Sequence, residues 1–166
     1  MNNSDIIAAS AFFVAILSLL VSFWQAWLQR DFNRKSLKPL PWFYLDNKDG
    51  NLRVDFYNDG QGPLIINDTI FERGEIKGKH IWEVLPEGTE FDSAKMLSRG
   101  KIIGSRVNLT LFSKKFDEND TEVERKRDDL RGILGSIKAT ITYHDLYGYR
   151  DKIERSFAFF IENSQR

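Results

Sequence analysis

The stretch from Ile6 to Leu28, IIAASAFFVAILSLLVSFWQAWL, carries no charged side chain. As a helix rising about 1.5 Å per residue it reaches roughly 34 Å, enough to cross the hydrocarbon core of a bilayer. In water such a helix needs a polar stripe, and Ser10, Ser18 and Ser22 supply only a thin one. A cleaved secretory signal calls for a basic leader, a shorter apolar stretch and small residues at the cut. Here the leader is MNNSD and the run closes on Trp24, Trp27 and Leu28. The sequence therefore predicts a transmembrane helix over residues 6–28, preceded by a short external N-terminus, residues 1–5.

The flanks predict an orientation. Arg30, Arg34, Lys35 and Lys38 follow the span with one acid, Asp31, whereas the N-terminal side offers Asp5 and the terminal amine. Positive flanks stay on the cytoplasmic side, so the N-terminus is expected outside and the rest of the chain in the cytoplasm. Residues 29–38 then read as a basic juxtamembrane linker. Trp24, Trp27, Arg30, Arg34, Lys35 and Lys38 are its expected contacts with membrane lipid. The lack of cysteine suits a reducing compartment without requiring one.

Within the span, Ala8, Ala11, Ala15, Ser18, Ser22, Gln25 and Gln29 recur at alternating steps of three and four, a seam of small or uncharged polar residues. Small residues let helix backbones approach in lipid. Self-association, or pairing with the span of another protein, is the expectation attached to that seam.

About 130 residues follow Leu37, enough for one compact core. Lysine plus arginine equal aspartate plus glutamate at 24 each. That balance, with a pI near 6.7, disfavours a dedicated nucleic-acid surface. Apolar residues alternate in Leu52, Val54 and Phe56, in Val107, Leu109 and Leu111, and in Ile137, Ala139, Ile141 and Tyr143. This is the period of half-buried strands. Leu40–Leu45, Leu64–Phe71 and a last run with Ile153, Arg155, Phe157, Phe159 and Ile161 on one face complete the set. Turn signals lie between them: Asn47 to Gly50, and Asn58 to Pro63, whose Gly60 and Gly62 permit positive φ. The fold expected is mainly β, an antiparallel immunoglobulin-like sandwich over residues 39–166. One inserted helix is expected within Glu118–Gly135, with Asp120 as its cap and Gly135 as its stop. Lys79–Leu97 reads either as a helical turn over one end of the sandwich or as an irregular strand.

The segments QAWLQRDFNRKSLKPLPWF, FYNDGQGPLII and ITYHDLYGYRD resemble a widespread group of small, uncharacterised bacterial inner-membrane proteins. In that group one N-terminal span precedes an HNRxSVxP-like juxtamembrane segment, an NxGxGPAxI turn and a YxDxYG turn. Phe32 stands where the group often has His, Lys35 and Leu37 replace apolar choices, and Leu64 replaces Ala. The resemblance implies an anchored cytoplasmic sandwich domain and no catalytic residues.

The chemical inventory is short. Without cysteine, and with only His80 and His144, thiol catalysis and a histidine-rich metal centre are not available. The acids Asp46, Asp49, Asp55 and Asp59 do not have calcium-loop spacing. NDGQGP lacks the lysine and the strand-to-helix context of a phosphate loop. His144-Asp145 has the composition of a base beside a carboxylate, the one hydrolase pair on offer. An aspartate in a turn between strands more often accepts backbone N–H groups. No cofactor or metal is expected. The expectation is a non-enzymatic interaction or sensing module with candidate binding loops at Asn58, Gly60 and Gly62, at His80 and Trp82, and at His144, Asp145 and Tyr147. The rival reading is a signal-controlled effector, in an anti-phage or stress system, whose oligomerised spans perturb the bilayer. A hydrolase using His144 and Asp145 comes third.

Overall fold

The computed structural model describes residues 2–48, 50–117 and 121–162. Asp49 of the first turn and Asp120, the expected cap, lie outside them. The chain divides into two compact units between Leu37 and Lys38.

The first unit is one helix, α1, Asn3–Ser36. It does not stop at Leu28. The basic linker continues it for two more turns, because Arg, Lys and Gln are good helix formers and Asp31 pairs with Lys35 four residues on, at 2.7 Å. Asp5 in the first turn and Arg34 and Lys35 in the last complement the helix dipole. No residue of α1 is buried, although the helix is long and apolar enough to span a membrane. The serine hydroxyls donate to carbonyls of their own helix, Ser10 to Ile7, Ser18 to Val14 and Ser22 to Ser18, each at 2.8 Å. A span in lipid must satisfy its polar groups this way, since no water is present to do so. Trp24 and Trp27 lie one turn apart with ring centroids 5.9 Å from each other.

The second unit is built of two antiparallel sheets. Strands β1 (Pro41–Lys48), β2 (Asn51–Asn58) and β6 (Val107–Lys115) form one, in the order β1-β2-β6. The other runs β4-β3-β7-β8, from β3 (Leu64–Arg73), β4 (Ile76–Gly78), β7 (Ile137–His144) and β8 (Arg150–Ser156), with the short β5 (Ile102–Ile103) also paired to β3. Phe43, Leu52, Val54, Phe56 and Phe112 from the first sheet share one apolar cluster with Leu64, Ile66, Phe71, Ala139 and Ile141 from the second. The Phe43 ring meets Phe157 at 5.7 Å. Helix α2 (Val123–Gly135) adds Leu130 and Leu134 to the same core.

Strict alternation holds in β7, where Ile137, Ala139, Ile141 and Tyr143 are buried and the residues between them are not. It breaks elsewhere for identifiable reasons. Val54 pairs with Phe112 but Asp55 with Thr110, so Leu111 is an extra residue in β6 and both Leu111 and Phe112 turn inward. Val107, expected inside, is 46% exposed. The last run is not a strand to Ile161. Phe157 N–H donates to Ile137 O, and β7 begins at Ile137, so no partner exists beyond it. The chain turns instead into the short helix α3, Phe159–Glu162, burying Phe157 and Phe160 completely. Gly135 ends α2 without positive φ. A methyl group there would meet the Ile161 side chain, Cδ1 at 2.7 Å, so its smallness serves packing of α3 rather than a left-handed cap.

Segment 79–97 resolves into a 3-10 turn at Ile81–Val84, with Ile81 and Val84 buried, followed by irregular chain. Ser93 in that chain bridges to Ser113 on the free edge of β6. Covering an edge in this way removes a template for unwanted strand pairing.

Candidate ligand cleft

The three loops expected to bind something differ in what they are built for. Asn58 is fully buried and its amide is spent on the fold. Its Oδ1 accepts the N–H of Leu40 and of Gly60, both at 3.1 Å. Its Nδ2 donates to Gly62 O at 2.9 Å, Gly104 O at 3.1 Å and Ile103 O at 3.2 Å. Gly60 and Gly62 are buried and neither has positive φ, contrary to the turn chemistry expected of them. A Cβ on Gly60 would strike Lys38 O, with Leu40 N at 2.5 Å and Pro39 Cα at 2.6 Å. Residues 58–63 thus clamp the start of the domain, and only Asp59 and Gln61 among them are exposed.

At the β7–β8 turn, Asp145 Oδ1 accepts the N–H of Tyr147 and of Tyr149, each at 2.9 Å. Gly148 closes the turn at φ +78°, which a β-carbon would oppose. This is the backbone-accepting role of a turn aspartate. His144 faces away from it: Nδ1 lies 2.7 Å from Asn67 Oδ1. The carboxylate and the imidazole that a hydrolase would pair are each engaged with another group. Tyr147 is half exposed beside them.

His80 stacks on Trp82, ring centroids 4.5 Å apart and planes 18° from parallel. Its Nε2 is 3.9 Å from Glu83 Oε1, and its Nδ1 is buried with no hydrogen-bond partner.

The structure brings both histidines to one region through a residue the sequence reading did not single out. Ile66 pairs with Tyr143 and Asp68 with Thr142, which leaves Asn67 as the extra residue of a β-bulge in β3. A bulge redirects the side chain it carries. Asn67 lines two adjoining depressions, and Arg99 lines both as well. One, about 680 Å³, reaches Asp68, Lys79 and His80. The other, about 510 Å³, is lined further by Thr142, Arg150, Asp151 and Lys152. Neither the Arg99 nor the Arg150 guanidinium has a hydrogen bond or ion pair among the described residues. By contrast Arg53, in a depression on the other sheet, is committed to the buried Asp55.

Around the cleft the charges are ordered by pairing. Lys79 Nζ holds Asp68 at 2.6 and 2.8 Å, and this hydrogen bond keeps the Asp68 carboxyl below its usual range. Glu154 accepts from Lys138 at 2.6 Å and Lys152 at 2.8 Å, which pulls its pKa down to about 2. Burial, with Asp151 nearby, pushes the Tyr143 hydroxyl up to about 12. A carboxylate whose pKa is depressed by folding contributes stability above its unfolded value and loses it as pH falls toward the folded one. The melting temperature is therefore expected to drop from about pH 4.5, the ordinary glutamate range, toward pH 2. Glu154→Gln should flatten that drop in a pH series of thermal melts.

No known protein family matches the sequence, and no curated protein matches it either.

Proposed function

We propose that the protein is a single-pass, non-enzymatic sensing or interaction module at the cytoplasmic face of a bacterial inner membrane. Its N-terminus is outside, and its β domain is an immunoglobulin-like sandwich. The observation that carries this reading is the pairing of a 34-residue helix, uncharged and apolar over residues 6–28 and burying none of its side chains, with a second unit that closes its own core. A soluble helix of that character would have to hide its apolar surface. The basic collar supports the orientation, with Arg30, Arg34, Lys35 and Lys38 following the apolar run and an acid, Asp5, just before it. The open cleft at Asn67, rather than a nucleophile and base, supports sensing over catalysis. Partner recognition would fall to the exposed residues beside it, Tyr147 and Tyr149 among them.

Because the chain has no cysteine, single-cysteine variants report topology directly. In intact cells a membrane-impermeant maleimide is expected to label Asn3→Cys and to spare Gln61→Cys until the cells are lysed. Labelling of Gln61→Cys in intact cells would overturn the orientation.

A further inference from the structure

We propose that the depression bounded by Asn67, Arg99 and Arg150 is a binding site for a phosphomonoester group, carried by a soluble metabolite or by a lipid headgroup. The inference names the ligand class for the sensing reading and rests on it. Arg99 comes from the irregular chain before β5 and Arg150 opens β8, so two guanidiniums far apart in sequence face one hollow. Neither forms a hydrogen bond or ion pair among the described residues, and the Asp68 carboxylate, on which Arg99 acts at longer range, is already held by Lys79. An arginine fork delivers two parallel N–H donors to oxygens of one tetrahedral anion, and two forks from different sides can share its three terminal oxygens.

Asn67 supplies a neutral donor. An amide Oδ1 can only accept, so its 2.7 Å contact with His144 Nδ1 is a hydrogen bond in the tautomer that carries the proton on Nδ1; this orients the amide, and Nδ2 has no partner among the described residues. His144 is accordingly a positioning residue, not a contact. Three cations and one carboxylate line the hollow, on a protein whose formal net charge is zero, so the positive field is local to this site. The carboxylate, Asp151, already accepts the Lys152 N–H at 2.8 Å. Lys152 is shared with Glu154 and adds charge at longer range.

The test uses the full chain in two settings: detergent micelles titrated with glycerol phosphate, and phosphatidylcholine nanodiscs with or without phosphatidic acid. Amide hydrogen exchange at Asn67 and Arg150 is read in both. Saturable protection is expected in at least one setting, weakened about tenfold in R99Q and in R150Q. Each lost charge-assisted contact is worth roughly that factor. R155Q removes the same charge outside the hollow and should bind as the parent does. His144→Ala should weaken binding less than R99Q, and His144→Asn, whose amide Nδ2 corresponds to the imidazole Nδ1, should restore part of that loss. Protection by glycerol phosphate alone assigns a soluble ligand, and protection by phosphatidic acid alone assigns a headgroup. No saturable protection in either setting, or an equal loss in R155Q, overturns the site. All three arginines are exposed, so unchanged melting curves separate lost binding from lost folding. If the chain stays membrane-bound while phosphate binding is absent, the ligand assignment fails and the anchored-module reading stands.

Discussion

Asn58→Leu is expected to destabilise the β domain by about 3–5 kcal/mol, among the largest costs of any single substitution. Leucine has the same branched skeleton of four heavy atoms as asparagine, so shape is not the main issue. The side chain is fully buried and makes five hydrogen bonds to main-chain groups. Losing it strands the N–H groups of Leu40 and Gly60 and the carbonyls of Gly62, Ile103 and Gly104. Each buried polar group left without a partner costs roughly 1–3 kcal/mol, partly relieved if water enters. Asn58→Asp separates polarity from shape. It keeps an acceptor for the two N–H groups but turns an oxygen toward three carbonyl oxygens, and should be no better than leucine. Thermal unfolding followed by tryptophan fluorescence is the measurement. A loss below about 1 kcal/mol in both variants would show that the hub does not hold the domain together.

Gly60→Ala is expected to cost about 2–4 kcal/mol, roughly 10 °C or more in melting temperature for a domain of this size. The reason is backbone, not conformation. Gly60 has ordinary φ, but its missing side chain is the space through which residues 38–40 pass, with Leu40 N and Pro39 Cα within 2.6 Å of where a Cβ would lie. Main-chain atoms cannot swing aside as a long side chain can, so relief requires moving the whole entry segment. That segment is tied down by Asp59 N–H to Leu40 O at 3.0 Å, and the loop by Ser105 Oγ to Gly60 O at 2.7 Å. Hydrogen exchange at Leu40 should accelerate in parallel with the fall in stability. An alanine variant that melts with the parent would contradict the close approach.

Both effects fall on NDGQGP, a motif that the sequence marks clearly but explains poorly. Gly and Asn in a short polar stretch signal a reversal, and a reversal is present. What the residues cannot announce is that the same asparagine reaches 45 and 46 positions along the chain, to Ile103 and Gly104. Long-range demands of this kind are invisible to local pattern. The strand content was readable because period two is a local property: Ile137 to Tyr143 alternates in the chain and in the sheet. The helical nature of residues 29–36 was hidden by treating a change in charge as a change in structure.

The cleft was missed for a subtler reason. In Leu64, Ile66, Thr69 and Phe71, all buried, the inward spacing jumps from two to three between Ile66 and Thr69. That jump is the mark of an extra residue, and it points to Asn67. Phe157, Phe159 and Ile161 misled in the opposite direction, keeping a strand's period where no neighbouring strand remains to pair with. The burial of Asp55 between Val54 and Phe56 likewise breaks the alternation, and Arg53 and Tyr57 on either side hold its carboxylate.

All functional proposals depend on α1 residing in a bilayer, and fractionation at alkaline pH tests that most directly. After carbonate washing, the full chain is expected in the membrane pellet, while residues 38–166 expressed alone are expected in the supernatant with a cooperative melt. Recovery of the full chain in the supernatant, monomeric and folded, would contradict the account.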